Sequence, residues 1–430
     1  MNSNSSHCHS PEHYSRRSAL KFLGLSGLAW LTPLGEIIAR ADETARTPAK
    51  SLILLWLDGG NSQLETFDPH ADSQTSHGTE AIKTSVKGIQ LAKGMEHVAE
   101  QMDSISLVRN VVSKEGDHER AVYNVKSGYR PDPTLTHPSI GAVLTHQLSP
   151  GNTDIPRHVS ILPSGWPGRG GYLGDQYDAF KTGDPNSPIP DVNRRVSDER
   201  YSRRLKSVSI LDEQFSRGRI RGLEKTRTLH QSTIAQAVRM MSSEQLAAFD
   251  VSDVPRAELD AFGDTAFGRA CLAAARLAEV GVRCIEVNLT GWDVAHVSNH
   301  AVHEGLVPTL DPAFAALVAY LKRRDQLKDT VVLCCGEFGR TPQLNAASGR
   351  DHWPHGFSVA MAGGGIAGGR VIGETDPAGS RIAFDSGTPV ADIHATVMHA
   401  MGVDHALELD TPVNRPMKLS EGKPLRQLML

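Results

Sequence analysis

The strongest constraint on the fold is the run Ser51-Leu52-Ile53-Leu54-Leu55-Trp56-Leu57, stopped abruptly by Asp58-Gly59-Gly60. A segment apolar at nearly every position must be covered on all sides. At seven residues, with a polar-glycine stop, it predicts a strand buried on both faces of a sheet. Similar runs recur at Ile105–Val108, His158–Leu162, Val282–Leu289, Thr330–Cys335 and Phe357–Ala362. Helical patterns lie among them at His118–Lys126, Pro138–Gln147, Thr265–Val280, Pro312–Arg324 and Val390–Met401. Strands alternating with helices predict an α/β fold: a three-layer α/β/α sandwich around a mostly parallel sheet.

Two regions depart from the alternation. Residues 195–260 are polar, charged and helical in pattern without a strand, so Arg194–Phe262 reads as a helical insertion, expected to shape access to the site. Gly165–Val192, rich in Gly, Pro and Asp, reads as a lid or substrate loop, or as an ordinary long connection. No internal repeat is visible. The expected organisation is a signal segment, 1–41, followed by one α/β domain, 42–430, including the insertion.

Ser15-Arg16-Arg17-Ser18-Ala19-Leu20-Lys21 reads as a twin-arginine export signal, followed by an apolar stretch from Phe22 to Leu34 and the cleavage pattern Ala39-Arg40-Ala41. That stretch is shorter than the ~20 apolar residues a spanning helix needs. The expectation is export to the periplasm or the extracellular space, with no stable membrane span after cleavage. Removing residues 1–41 takes away four basic and two acidic residues, moving the net charge from −4 to −6. A balance this close to neutral excludes a dedicated nucleic-acid binder. Cys271, Cys284, Cys334 and Cys335 have neither the spacing nor the density of a disulfide framework or a Cys-based zinc site.

The chemistry is expected where the apolar runs end, because open α/β sheets bind ligands beyond the carboxyl ends of their strands. Asp58 ends the first run. Asp117-His118-Glu119-Arg120 follows the second and opens a helix. Trp292-Asp293-Val294-Ala295-His296 and Glu337-Phe338-Gly339-Arg340 follow two more, and Asp351-His352-Trp353-Pro354-His355 precedes the last. Mixed carboxylate and imidazole donors suit divalent cations, and a bound cation lets several acidic groups converge while ionised. The expected ligands are Asp58, His118, Asp293, His296, Glu337, His352 and His355. They would hold one or two divalent ions, zinc or manganese favoured, with calcium or magnesium still admitted. Arg120 and Arg340 offer bidentate forks to a phosphate, sulfate or carboxylate, or to a neighbouring carboxylate of the protein.

These pieces resemble the metal-binding framework of the alkaline phosphatase and sulfatase superfamily. They resemble more closely a secreted domain-of-unknown-function family, number 1501. The resemblance is carried by Leu57-Asp58-Gly59-Gly60, the stretch Glu115 to Arg120, Gly128-Tyr129-Arg130-Pro131-Asp132-Pro133, Gly291-Trp292-Asp293, the stretch Cys335 to Pro342, and Gly349 to Gly356. It implies an alkaline phosphatase-like fold with Asp58 as a first metal ligand and Asp293 with His296 as a later pair. His355, with His352 beside it, would be the final imidazole. The sequence departs from the superfamily pattern in two places. His118 stands where a Ser or Thr nucleophile would open the helix, and Glu337-Phe338 replaces an Asp-His pair.

The expected function is therefore an exported metal-dependent hydrolase of phosphate or sulfate esters. It would act through metal-activated water or with His118 as catalytic nucleophile or acid/base, assisted by Arg120 and Arg340. Its substrate would be a small anionic ester or a sulfated or phosphorylated polymer. The alternative is a non-catalytic metal- or anion-binding module, or a structural one, on a degenerate hydrolase scaffold.

Overall fold

The first apolar run becomes β1 (Ser51–Asp58), buried along its length until Asp58. The computed structural model describes residues 47–216, 229–375 and 386–430; the expected export signal, 1–41, lies outside them. The other main strands are β2 (Ile105–Val112), β3 (His158–Ile161), β4 (Phe180–Thr182), β5 (Cys284–Thr290), β6 (Thr330–Cys335) and β7 (Phe357–Gly363). Two short pieces, β8 (Val371–Ile372) and β9 (Thr388–Pro389), both pair with β2. The sheet runs β8-β2-β7-β6-β1-β5-β3-β4. All its pairings are parallel except those of β7, which is antiparallel to both β2 and β6.

The period-two geometry of β1 divides the core into two. Ile53, Leu55 and Leu57 join one apolar cluster with residues of α6 (Ala266–Glu279) and α7 (Asn299–Arg323). Leu52, Leu54 and Trp56 join the other with residues of α2 (Ile140–Gln147) and α8 (Val390–Ala400). The result is the expected three layers. All four cysteines beyond residue 47 are buried free thiols. Among the described residues no helix is long and apolar enough to cross a membrane.

Two expectations need correction. The helix expected at Pro312–Arg324 begins thirteen residues earlier, at Asn299, and runs through Pro308 and Pro312. A proline removes one helical donor and is read from sequence as a helix start. Here Glu304 and Pro308 lie on the exposed face while Val307, Leu310, Phe314 and Leu317 are buried, so packing on the sheet carries the helix past both prolines. Within the segment Arg194–Phe262 the described residues form α3 (Asp198–Ser216), α4 (Leu229–Met241) and α5 (Arg256–Ala261); residues 217–228 lie outside the described residues. Its stretch from Glu244 to Asp253, however, faces away from the expected site. Gln245 bonds the backbone of Asn152 and Asp154 ahead of β3, and Asp253 pairs with Arg276 near the end of α6. Both contacts lie at the amino ends of the strands.

A buried ion pair ties the helix α1 to the sheet. Lys126, on α1 (His118–Ser127), donates to Glu286 of β5 at 3.2 Å and to the Trp166 carbonyl at 2.9 Å. Gly168 N–H donates to the same Glu286 carboxylate at 3.1 Å. Burial alone would raise the Glu286 pKa, but the Lys126 ammonium, the His158 ring and the Gly168 N–H outweigh it and hold it at about 2. A carboxyl depressed below its unfolded value contributes stability above that value and loses it as pH falls toward the folded one. The protein should therefore lose on the order of 3 kcal/mol of stability between about pH 5 and pH 2 through this group. Chemical denaturation across that range should show a shallower acid dependence in Glu286→Gln, alongside a lower stability at neutral pH.

Candidate metal and catalytic centre

Strand register sets the height of every side chain in the site. Asp58 pairs with Thr290 of β5, and Trp56 pairs with Cys335 of β6. Glu337, two residues beyond Cys335, therefore stands level with Asp58, and Asp293 lies three residues past Thr290. β7 reaches the same edge from the other direction: Phe357 opposes Val111 at the end of β2. An antiparallel strand brings its preceding residues, not its following ones, to this edge, which is why His352 arrives there. A two-residue ladder seats His352 opposite Arg340. Gly59, at φ 111°, leaves no room for a Cβ against the Asp293 backbone.

α1 opens at the same edge, with the Asp117 side chain accepting from the Arg120 N–H at 3.3 Å as its N-cap. Its first residue, His118, is held between two carboxylates: Nδ1 lies 2.8 Å from Glu337 Oε1 and Nε2 2.8 Å from Asp293 Oδ1. The hydrogen bond to Glu337 is the main cause raising its pKa. Glu337 is fully buried, and burial raises its own pKa. Its Oε1 also accepts the Gly59 N–H at 2.9 Å, while Oε2 has no partner.

The other imidazoles have tautomers fixed by what they touch. His352 Nδ1 lies 2.8 Å from the Gly116 carbonyl, which can only accept, so Nδ1 carries the proton. Burial lowers the pKa of His352. His296 Nδ1 lies 3.0 Å from Asp351 Oδ1 and carries its proton for the same reason. With both rings neutral each Nε2 offers a lone pair, and the two nitrogens face each other at 2.8 Å. Asp293 Oδ1 completes the group, 3.3 Å from His352 Nε2 and 3.5 Å from His296 Nε2. Two lone pairs and a carboxylate oxygen meeting there need a shared proton or a cation between them. The donor set fits a divalent cation. Ligand atoms of His118, Asp293 and His352 lie within 4.8 Å of one another. Burial acts to raise the Asp293 pKa, but His352, His118 and Arg340 overcome it and lower it to about 2.

The structure thus gathers His118, Asp293, His296, Glu337 and His352, with Asp58 beside Glu337 and close enough to raise its pKa. It does not gather His355, which is exposed and has no hydrogen bond or ion pair to the cluster among the described residues. Of the two courses open to the arginines, both take the one that binds acceptors of the protein. Arg120 forks onto Glu115 at 2.6 and 3.2 Å, away from the imidazoles. Arg340 is fully buried and spends its donors on the carbonyls of Gly59, Gly60, Trp292 and Arg350, with Asp293 Oδ1 at 3.4 Å. Both hold the protein's own acceptors instead of presenting an open fork to an anion.

Sequence reasoning missed the supports. Asp351 orients His296, and Asn345 fixes Asp351 at 2.9 Å. The buried Phe338 ring packs under His118 and His352, with centroids 5.0 and 4.2 Å away. Asp351 was detectable as the residue before His352; Asn345 and Phe338 carried no signal of their own.

A mutant of the alkaline phosphatase PafA is similar to this chain at a TM-score of 0.44 and 9% identity, over 89% of this chain and 99% of that one. The sulfatase PsFucS1 from Pseudoalteromonas sp. gives 0.38 and 13%, over 86% and 72%. A mutant TAB5 alkaline phosphatase with magnesium bound gives 0.38 and 12%, over 84% and 99%. No curated protein sequence matches. The family model described as "Protein of unknown function (DUF1501)" matches residues 49–429, nearly the whole described chain. The chain belongs to the DUF1501 family.

Proposed function

We propose that this protein is an exported metal-dependent hydrolase of phosphate or sulfate esters, acting in the periplasm or outside the cell. The observation that carries the reading is the pair of imidazole nitrogens, His296 Nε2 and His352 Nε2, set 2.8 Å apart beside the Asp293 carboxylate. Asp293, His296 and His352 would hold a divalent cation, zinc or manganese by donor type. Asp58 and the unpartnered Oε2 of Glu337 offer a second position, so one or two ions are accommodated. When bound, the cation supplies the positive charge that draws in and polarises an anionic ester.

The protein's own groups supply proton handling. Glu337 accepts from His118 Nδ1–H and so directs Nε2 toward Asp293 and the open side of the site. There Nε2 is placed to hold or move the proton exchanged with the ester oxygen or with water. With imidazole where a hydroxyl would stand, a Ser- or Thr-bound intermediate has no role. The second reading, a non-catalytic metal- or anion-binding module, is favoured by the commitment of Arg120 and Arg340 to protein acceptors.

Elemental analysis of the untagged mature protein should find about one or two equivalents of transition metal. Asp293→Asn and His352→Ala should lose it, and parental metal content in both variants would sink the assignment. Asp351→Asn should fold and bind metal about 10- to 100-fold more weakly, because only the orientation of His296 is lost. A screen of phosphate and sulfate monoesters should show metal-dependent hydrolysis that drops about 10²- to 10⁴-fold in His118→Ala while metal is retained. Full metal occupancy with no turnover on any ester would favour the binding module.

A further inference from the structure

A cavity of about 350 Å³ lies along α1, between that helix and the loop 165–181. Its lining begins at Glu119, beside His118, and continues with Val122, Tyr123 and Lys126. Residues four apart share a helix face, so Val122 and Lys126 stand one and two turns below His118. Val122, the first lining residue on the face of His118, lies about 6 Å along the helix from it. Its size lies at the lower end of the roughly 300–1,000 Å³ typical of small-ligand sites.

The loop that roofs the cavity is fixed from beneath. Lys126 holds the Trp166 carbonyl, Glu286 holds the Gly168 N–H, and the Ser139 N–H donates to the Arg169 carbonyl at 2.8 Å. A Cβ at Gly168 would strike Glu286, so the backbone passes directly over the buried pair. What this anchoring presents is Trp166, a large ring left 41% exposed at the cavity.

His137, 95% buried, also lines the cavity, and its Nε2 is buried without a hydrogen-bond partner. Its other nitrogen lies 2.8 Å from the Tyr123 hydroxyl, and its ring stacks on Tyr129 with centroids 4.4 Å apart. Burial lowers its pKa, so it meets a ligand as a neutral imidazole. Lys181 adds a cation at the rim with no ion pair among the described residues.

An anchored, half-exposed indole face and a buried neutral hydrogen-bonding nitrogen suit a ring that is apolar on its face and hydroxylated at its edge. We infer that this cavity binds the alcohol portion of the ester and that this portion is a saccharide, with Trp166 under the sugar face and His137 Nε2 on a hydroxyl. The inference rests on reading the His118 site as an ester-cleaving centre, but its binding prediction is separable from turnover.

The test is calorimetric binding of a panel of monosaccharide phosphates and sulfates, with inorganic phosphate as control, to the metal-loaded protein. Trp166→Ala, an exposed change expected to leave the melting temperature unchanged, should weaken at least one sugar ester about fivefold or more. Inorganic phosphate affinity and metal content should stay at parental levels. His137→Gln should weaken the same sugar ester and not phosphate. If no sugar ester binds more tightly than phosphate, or if Trp166→Ala leaves every affinity unchanged, the saccharide subsite is overturned even with an active hydrolase. Trp166-dependent sugar binding without turnover would support the subsite and overturn the hydrolase reading alone.

Discussion

One buried carboxylate joins the three parts from which the site is made. Glu337 Oε1 accepts the backbone N–H of Gly59, where β1 turns out of the sheet, and stands against His118, where α1 begins. Its own position follows from the exit of β6. Strand, helix and neighbouring strand are thereby fixed to within hydrogen-bond tolerance of one another. A carboxylate is suited to this because two donors can share one of its oxygens. Burial raises the cost of leaving either bond unmade, so the three elements have little freedom to drift.

Buried arginines close the rest of the perimeter. Arg340 gathers carbonyls from the β1 turn, from Trp292 and from Arg350, and Arg350 in turn binds Glu65 at 2.8 Å and the Thr75 carbonyl at 2.9 Å. Irregular backbone at the ends of a parallel sheet has carbonyls that no ladder satisfies, and a planar five-donor group can satisfy several at once. These contacts place Asp293, His296 and His352 on a framework of fixed backbone. The imidazoles can then face one another with lone pairs, an arrangement that a softer loop would relax.

The same economy shapes the flank of α1. Its first residue belongs to the candidate site, and its last turn carries Lys126, whose ammonium holds the loop with Trp166. One ten-residue helix thus links the candidate site to the surface beside it, through backbone geometry and a buried ion pair.

The layer order and the strand ends were legible in the sequence because they depend on local pattern. Apolar runs with polar-glycine stops mark buried strands, and Asp58, Asp293 and Glu337 sit where such runs end. His118 was legible as the first residue of a capped helix. The reversal of β7 was not, because a buried antiparallel strand has the same apolar run as a parallel one. That reversal brings the residues before β7 to the site, and the ladder of His352 with Arg340 seats His352 in the cluster while His355 stays outside it. Nor could the sequence assign the arginines: whether a guanidinium meets a ligand or a backbone carbonyl depends on which acceptors lie within about 3 Å. Local composition determined the elements and the residue types at their ends. Only long-range packing decided which imidazole nitrogens carry protons, which lone pairs converge, and which charges are already satisfied.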